Sequence, residues 1–161
     1  METRQLRSAV YLGALLGIVV SLFALAEFLD ASLRGICSVN SFFSCATVDN
    51  SGRTTTFGIP DYLWGVGGFV VIFVVAALGE RRPTDRRLAD GLVLITTLGV
   101  ALSIYFLYVE LVLIDALCVV CAAAYLLGVV AWVGAIGIAR NSRRAPPDDA
   151  DDDPDDRPDD P

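Results

Sequence analysis

Four stretches of this chain run without a strong charge for about the length a helix needs to cross a bilayer. They are Ala9 to Ala26, Tyr62 to Gly79, Leu92 to Val109 and Leu117 to Ala139. Roughly 20 apolar residues cover the ~30 Å of hydrocarbon, so the pattern predicts four membrane helices. The first follows Arg4 and Arg7 as a signal peptide would, yet no A-x-A-like site follows it and three similar segments come after. Between the first and second helices, residues 31–58 interleave Ser, Thr, Asn and Gly with Ile36, Phe42, Phe43, Val48 and Phe57. So much apolar surface predicts a segment resting on the bundle or on the membrane face. Gly58-Ile59-Pro60 marks the start of the second helix, with proline where its missing N–H costs least. Gly65, Gly67 and Gly68 thin the outer half of that helix, where a neighbour or a flat ligand can approach the backbone.

Charge fixes the expected orientation. The 12 basic residues are all Arg. Arg4 and Arg7 precede the first helix, Arg81, Arg82, Arg86 and Arg87 join the second to the third, and Arg140, Arg143 and Arg144 end the fourth. Only Arg34 and Arg53 fall between the first two helices. The positive-inside rule then expects both termini in the cytoplasm of a multi-pass plasma-membrane protein, and residues 30–59 outside. The formal charge of −7 is nearly all tail, since residues 148–161 hold nine Asp and one Arg. The expected organisation is a cytoplasmic N-terminus (1–8), a four-helix membrane domain (9–139) and a disordered acidic cytoplasmic tail (140–161). Glu27 and Asp30 mark the exit of the first helix into water. Glu110 and Asp115 read as solvated charges at headgroup level, because burial at the bilayer centre costs roughly 2.5–3.5 kcal/mol each. Tyr62, Trp64, Tyr105 and Tyr108 read in part as an interfacial belt.

Chemistry enters through four cysteines in two pairs. Cys37 and Cys45 have seven residues between them in the outer segment, and Cys118-Val-Val-Cys121 opens the fourth apolar run. At 100° per residue Cys118, Cys121 and Tyr125 lie within roughly 60° of each other on one helical face. Both pairs fall on the outer side, where disulfides persist. A C-x-x-C also serves as a zinc half-site, but the spacing of the first pair is unlike a zinc knuckle. With no His, haem and histidine-ligated metals are excluded. Two static disulfides bracing a membrane scaffold are the rival. Against them, a C-x-x-C at a helix start is strained, and the helix N-terminus gives its thiol thiolate character.

The ordered set Arg34-Gly-Ile-Cys37, Cys45, Phe57-Gly58, Tyr105 and Cys118-Val-Val-Cys121 with Tyr125, preceded by Ser21-Leu-Phe-Ala-Leu25, resembles the vitamin K epoxide reductase family over roughly residues 10–135. The resemblance implies a four-transmembrane-helix bundle enclosing a quinone site, capped by an extracytoplasmic loop. It implies that Cys37 exchanges with an outside thiol protein, that Cys45 attacks Cys118, and that Cys121 faces the quinone. By the same likeness, Tyr125 contacts a quinone oxygen and Ser51 lies close to the redox center. Vertebrate members carry an Asn, a quinone hydrogen-bond donor, where this chain has Asp61, and an ionised Asp cannot donate. Many bacterial relatives carry a fused thioredoxin-like domain. Here only the acidic tail follows the fourth helix, so the expected partner is a separate extracytoplasmic thioredoxin-like or DsbA-like protein. The expected activity is a thiol:quinone oxidoreductase that reoxidises this partner and reduces a membrane quinone, menaquinone or a relative. Run on outside thiols as a quinone or quinone-epoxide reductase, the same scaffold gives the alternative. The bilayer is the other expected partner; no metal and no nucleic acid are expected.

Overall fold

A computed structural model of the chain describes residues 3–30, 32–33, 36–81 and 86–144. Arg34, Arg82 and the acidic tail from 145 onward lie outside the described residues. Five α-helices follow in order: α1 (Thr3–Leu29), α2 (Cys45–Asn50), α3 (Asp61–Arg81), α4 (Arg86–Tyr108) and α5 (Val119–Arg144). Four of them are long and apolar enough to cross a membrane, with mean hydropathy between 2.1 and 2.4. They form a bundle in which α1 packs against α5 and α3, and α4 against α5 and α3.

Small residues set how closely the helices approach, as is usual where lipid removes the hydrophobic drive for helix pairing. A Cβ on Gly134 of α5 would sit 2.6 Å from Val10 Cγ2 and 3.1 Å from the Leu6 carbonyl oxygen of α1. A Cβ on Gly17 would run into the Phe69 ring of α3. Val10, Ala14, Phe69, Ile72, Leu92, Ala131 and Ala135 form the buried core around these crossings. Leu12, Val19, Leu126 and Val133 face outward, giving the bundle the apolar exterior that lipid requires.

Two helix ends lie beyond the charges that seemed to stop them. The third span continues past Val109 through one π-helical stretch, Val109–Ile114, and ends where Asp115 turns left-handed at φ 57°. Leu111 to Ile114 extend the apolar surface, so the helix runs on and takes Glu110 with it. Helix α5 continues to Arg144, with Arg143 and Arg144 in its last turn, where cations favour the helix dipole. At that end Arg143 reaches Asp90 at 2.8 Å and Tyr11 donates to Glu80 at 2.8 Å.

The segment between α1 and α3 caps the opposite end. Phe43 bridges Leu117 in parallel: the Leu117 N–H donates to the Phe42 carbonyl at 2.8 Å, and the Ser44 N–H to the Leu117 carbonyl at 3.2 Å. Ser44 then caps α2, its hydroxyl accepting from the Thr47 N–H at 3.2 Å. Strands β1 (Thr55–Thr56) and β2 (Ile59–Pro60) pair as a hairpin closed by Phe57 and Gly58. Both turn residues have positive φ (57° and 77°), the geometry of a two-residue primed turn. Of the apolar residues in segment 31–58, Val48 is buried on the bundle, whereas Ile36 and Phe57 project outward.

Candidate functional site

The backbone bridge places the two cysteine pairs. Cys45 is the first residue of α2, two after Phe43, and Cys118 directly follows Leu117, so the Phe43–Leu117 pairing carries both sulfurs to one spot. All four cysteines are thiols here, and the Cys45 and Cys118 Sγ atoms stand 3.2 Å apart. An S–S bond is about 2.05 Å long, so they lie in contact, one short displacement from joining. Both are fully buried with Val48 and Ala116. Cys118 also caps α5, its sulfur accepting from the Cys121 N–H at 3.3 Å. Cys121 sits one turn deeper, on the wall of a cavity of about 560 Å³. Cys37, at the other end of the series, lies against Glu27, its Sγ 2.6 Å from each carboxylate oxygen.

The cavity lies between α1, α3, α4 and α5, and its walls are mainly apolar: Phe69, Ile72, Leu102, Phe106 and Val109 among them. Gly67 and Gly68 open onto it with nothing within 4 Å of where a Cβ would stand, whereas Gly65 packs against Ser21 of α1. Two polar groups, Tyr125 and Glu110, meet beside Cys118 and Cys121. Tyr125 donates to Glu110 Oε1 at 2.7 Å, and the Cys118 N–H donates to Glu110 Oε2 at 2.9 Å. Asp61 lines the same space and has one buried oxygen, Oδ1, without a hydrogen-bond partner among the described residues. Ser51 stands apart. Its hydroxyl donates to the Val48 carbonyl at 2.6 Å and accepts from the Arg53 N–H at 3.2 Å, closing the end of α2 rather than lining the cavity.

Three acid and aromatic expectations are corrected. Glu110 is not solvated; it is 4% exposed, because the π-helical stretch carries it into the bundle beneath the α5 N-terminus. Glu27 does not mark an exit into water; it is 1% exposed and covered by the returning loop at Cys37. Tyr62 is no belt residue, since it is buried and donates to Asp49 of α2. Trp64, Tyr105 and Tyr108 stay largely exposed, as an interfacial belt requires. One signal pointed to Glu110: a carboxylate that follows the apolar run 92–109 and is itself followed by four more apolar residues, Leu111 to Ile114.

The loop thiols are strongly biased to the protonated form. Burial pushes the Cys37 thiol up, and the Glu27 carboxylate beside it adds to this. The Cys45 thiol is raised by its contact with Cys118 and then by burial, and the Cys118 thiol by its contact with Cys121. Glu27, Cys37 and Cys45 bring donor atoms within 4.8 Å of one another, the one such grouping of potential metal ligands among the described residues.

Taken together these contacts form a file of sulfurs, from a half-buried Cys37 through Cys45 and Cys118 to Cys121 on the cavity wall. The sequence model of the vitamin K epoxide reductase family matches residues 8–136. The chain belongs to this family. Membership makes it an oxidoreductase carried on a helical membrane bundle, and family members use quinones. No curated protein matches the chain.

Proposed function

We propose that this family member is a thiol:quinone oxidoreductase that reoxidises an extracytoplasmic thioredoxin-like or DsbA-like protein. The observation that carries the reading is the 3.2 Å approach of Cys45 to Cys118, with Cys121 next in line on the cavity wall. A reduced partner attacks the Cys37–Cys45 disulfide at Cys37, and Cys45 leaves as the thiolate. Cys45 then attacks Cys118 of the Cys118–Cys121 disulfide and Cys121 leaves as the thiolate. The partner's second thiol resolves its mixed disulfide with Cys37, and Cys37 resolves Cys45–Cys118, leaving an oxidised partner, the Cys37–Cys45 disulfide and the Cys118–Cys121 dithiol. Exchange of this kind proceeds through mixed disulfides, which the sulfur contacts allow with small motions. A quinone, as acceptor, takes the two electrons and two protons. The cavity suits a flat ring: it has mainly apolar walls, two glycines open onto it, and Tyr125 and Asp61 are among its polar lining. Cys37, Cys45, Cys118 and Cys121 are the redox residues of this reading, and Tyr125 and Asp61 the quinone contacts. Ser51 acts at most through the loop.

Direction follows from location. The arginine-rich helix ends face the cytoplasm and the cysteine loop faces out, where disulfides are made and menaquinone or a related quinone passes the electrons on. Asp61 supplies a hydrogen-bond donor only when protonated, which favours this reading over epoxide reduction at the position where vertebrate members carry Asn.

The test is quinone reduction by purified protein in lipid nanodiscs. A reduced thioredoxin-like protein should support turnover by the native chain. Cys37→Ala should block that turnover while dithiothreitol still reduces the Cys118–Cys121 pair directly. Normal oxidation of the partner protein by Cys37→Ala overturns the relay.

A further inference from the structure

Tyr125 carries a single phenolic proton, and in this structure that proton is directed at Glu110 Oε1, 2.7 Å away. The other carboxylate oxygen accepts the Cys118 N–H at 2.9 Å. An ionised Glu110 only accepts, so it holds the Tyr125 proton and leaves the phenol with nothing to donate into the cavity. A protonated Glu110 can donate to the Tyr125 oxygen, which reverses that hydrogen bond and frees the phenolic O–H for the cavity. The Cys118 N–H keeps its acceptor in both states.

Resting on the quinone reading above, we infer that Glu110 is the group whose protonation turns Tyr125 from a donor to the protein into a donor to the bound quinone. The same pair then carries one proton of the reaction. Tyr125 passes its phenolic proton to the ring oxygen and takes one from Glu110. Glu110 recovers a proton from the Cys118–Cys121 dithiol as that pair closes to a disulfide. The balance is complete: the dithiol gives up two electrons and two protons, and reduction to the quinol takes up two of each.

Geometry singles out Glu110 among its titratable neighbours. Cys118, Cys121 and Tyr125 face it from the start of α5. Cys45 and Asp49 stand on α2, Asp61 and Tyr62 on α3, and Arg53 on the loop rim of the cavity. Helix α1 contributes Val20, Ser21 and Ala24 to the wall, none of them titratable. Of the carboxylates in this set, only Glu110 touches the Tyr125 hydroxyl. Its place in a π-helical stretch fits the tendency of such stretches to mark functional positions.

The experiment is equilibrium binding of decylubiquinone, a ring with no free C–H for thiols to attack, to the full chain in nanodiscs. The protein is oxidised so that no turnover occurs, and quenching of Trp64, on the cavity wall, reports occupancy. Native protein should bind more weakly as pH rises through the titration of Glu110, by up to about tenfold per pH unit. Glu110→Gln fixes the hydrogen bond in its reversed sense, since the amide donates to Tyr125 while its carbonyl accepts from Cys118. Its affinity should be independent of pH and equal to the native low-pH limit, with turnover at least tenfold lower. Tyr125→Phe removes the donor and should also flatten the profile, at the weak limit, so the test survives a Glu110 variant that folds poorly. A flat native profile, a slope that persists in Glu110→Gln, or a slope abolished by Asp61→Asn instead, overturns the inference while leaving the quinone site in place. Absence of saturable binding by native protein at every pH overturns the quinone reading itself.

Discussion

Leu117→Pro is the sharpest perturbation of the relay that leaves every sulfur in place. The Leu117 N–H donates to the Phe42 carbonyl at 2.8 Å, one of two backbone bonds that hold the Cys45 segment against the start of α5. Proline deletes that donor, yet it is tolerated just ahead of a helix, so α5 itself should persist. Losing one such bond costs roughly 0.5–1.5 kcal/mol, and more if the Phe42 carbonyl finds no water in its place. Because Cys45 and Cys118 meet only while the loop is docked, that cost appears as a docking equilibrium constant about 2- to 12-fold smaller at 1.4 kcal/mol per decade. The assay uses a background of Cys37→Ala and Cys121→Ala, in which Cys45 and Cys118 are the sole thiols, and follows Cys45–Cys118 disulfide formation under a mild oxidant by mass spectrometry of the intact chain. The rate should fall, by up to about the same 12-fold. An unchanged initial rate would mean that the sulfurs are brought together by something other than the Phe43–Leu117 bridge.

Three further outcomes follow from particular contacts. Glu27→Gln removes the carboxylate that helps hold the Cys37 thiol protonated, so iodoacetamide should label Cys37 in the reduced protein about three- to tenfold faster at pH 8, as a drop of half to one pKa unit would give; an unchanged or slower rate refutes the pairing. Gly134→Ala drives a Cβ against Val10 and the Leu6 carbonyl and should destabilise the bundle by about 1–3 kcal/mol, whereas Gly67→Ala, with open space around it, should not; thermal unfolding in detergent compares the two. A membrane-impermeant maleimide added to reduced intact cells should label Cys37, and labelling of a cysteine placed at Ser142 under the same conditions would invert the orientation.

Long apolar windows made the four spans legible in the sequence, and the order of cysteines and aromatics made the family resemblance legible. The spans' interiors needed no tertiary knowledge, because lipid imposes one solution on backbone hydrogen bonding. Their ends did. Glu110 looked like a stop because a charge inside hydrocarbon is costly. The cost is met by two hydrogen-bond donors, the Cys118 N–H and the Tyr125 hydroxyl, that come from 8 and 15 residues further along the chain. Glu27 was misjudged for the same reason: the loop that covers it returns from ten residues away. Local pattern locates a charge along a helix, but only chain reversal decides whether something folds over it. The contact between Cys45 and Cys118, 73 residues apart, was available from the resemblance and from no spacing rule.

The protonated state of the loop thiols looks at first like an obstacle to exchange, because the thiolate is the attacking species. Cys37, Cys45 and Cys118 are all held above the ordinary cysteine range by burial and by one another. Each unit of elevation costs about 1.36 kcal/mol of thiolate population. Against this stands proximity: groups held in reacting geometry gain roughly 7–11 kcal/mol over the same groups free in solution. That offsets about five to eight units of elevation, so the proposed Cys45–Cys118 step, made across 3.2 Å, would tolerate a scarce thiolate. An external thiol or alkylating agent has no such compensation. In the proposed relay the same burial keeps the inner sulfurs open to one another and out of reach of a protein thiol, so that the partner protein enters at Cys37, half-buried at the outer end of the file, while a small dithiol can still reach the inner pair.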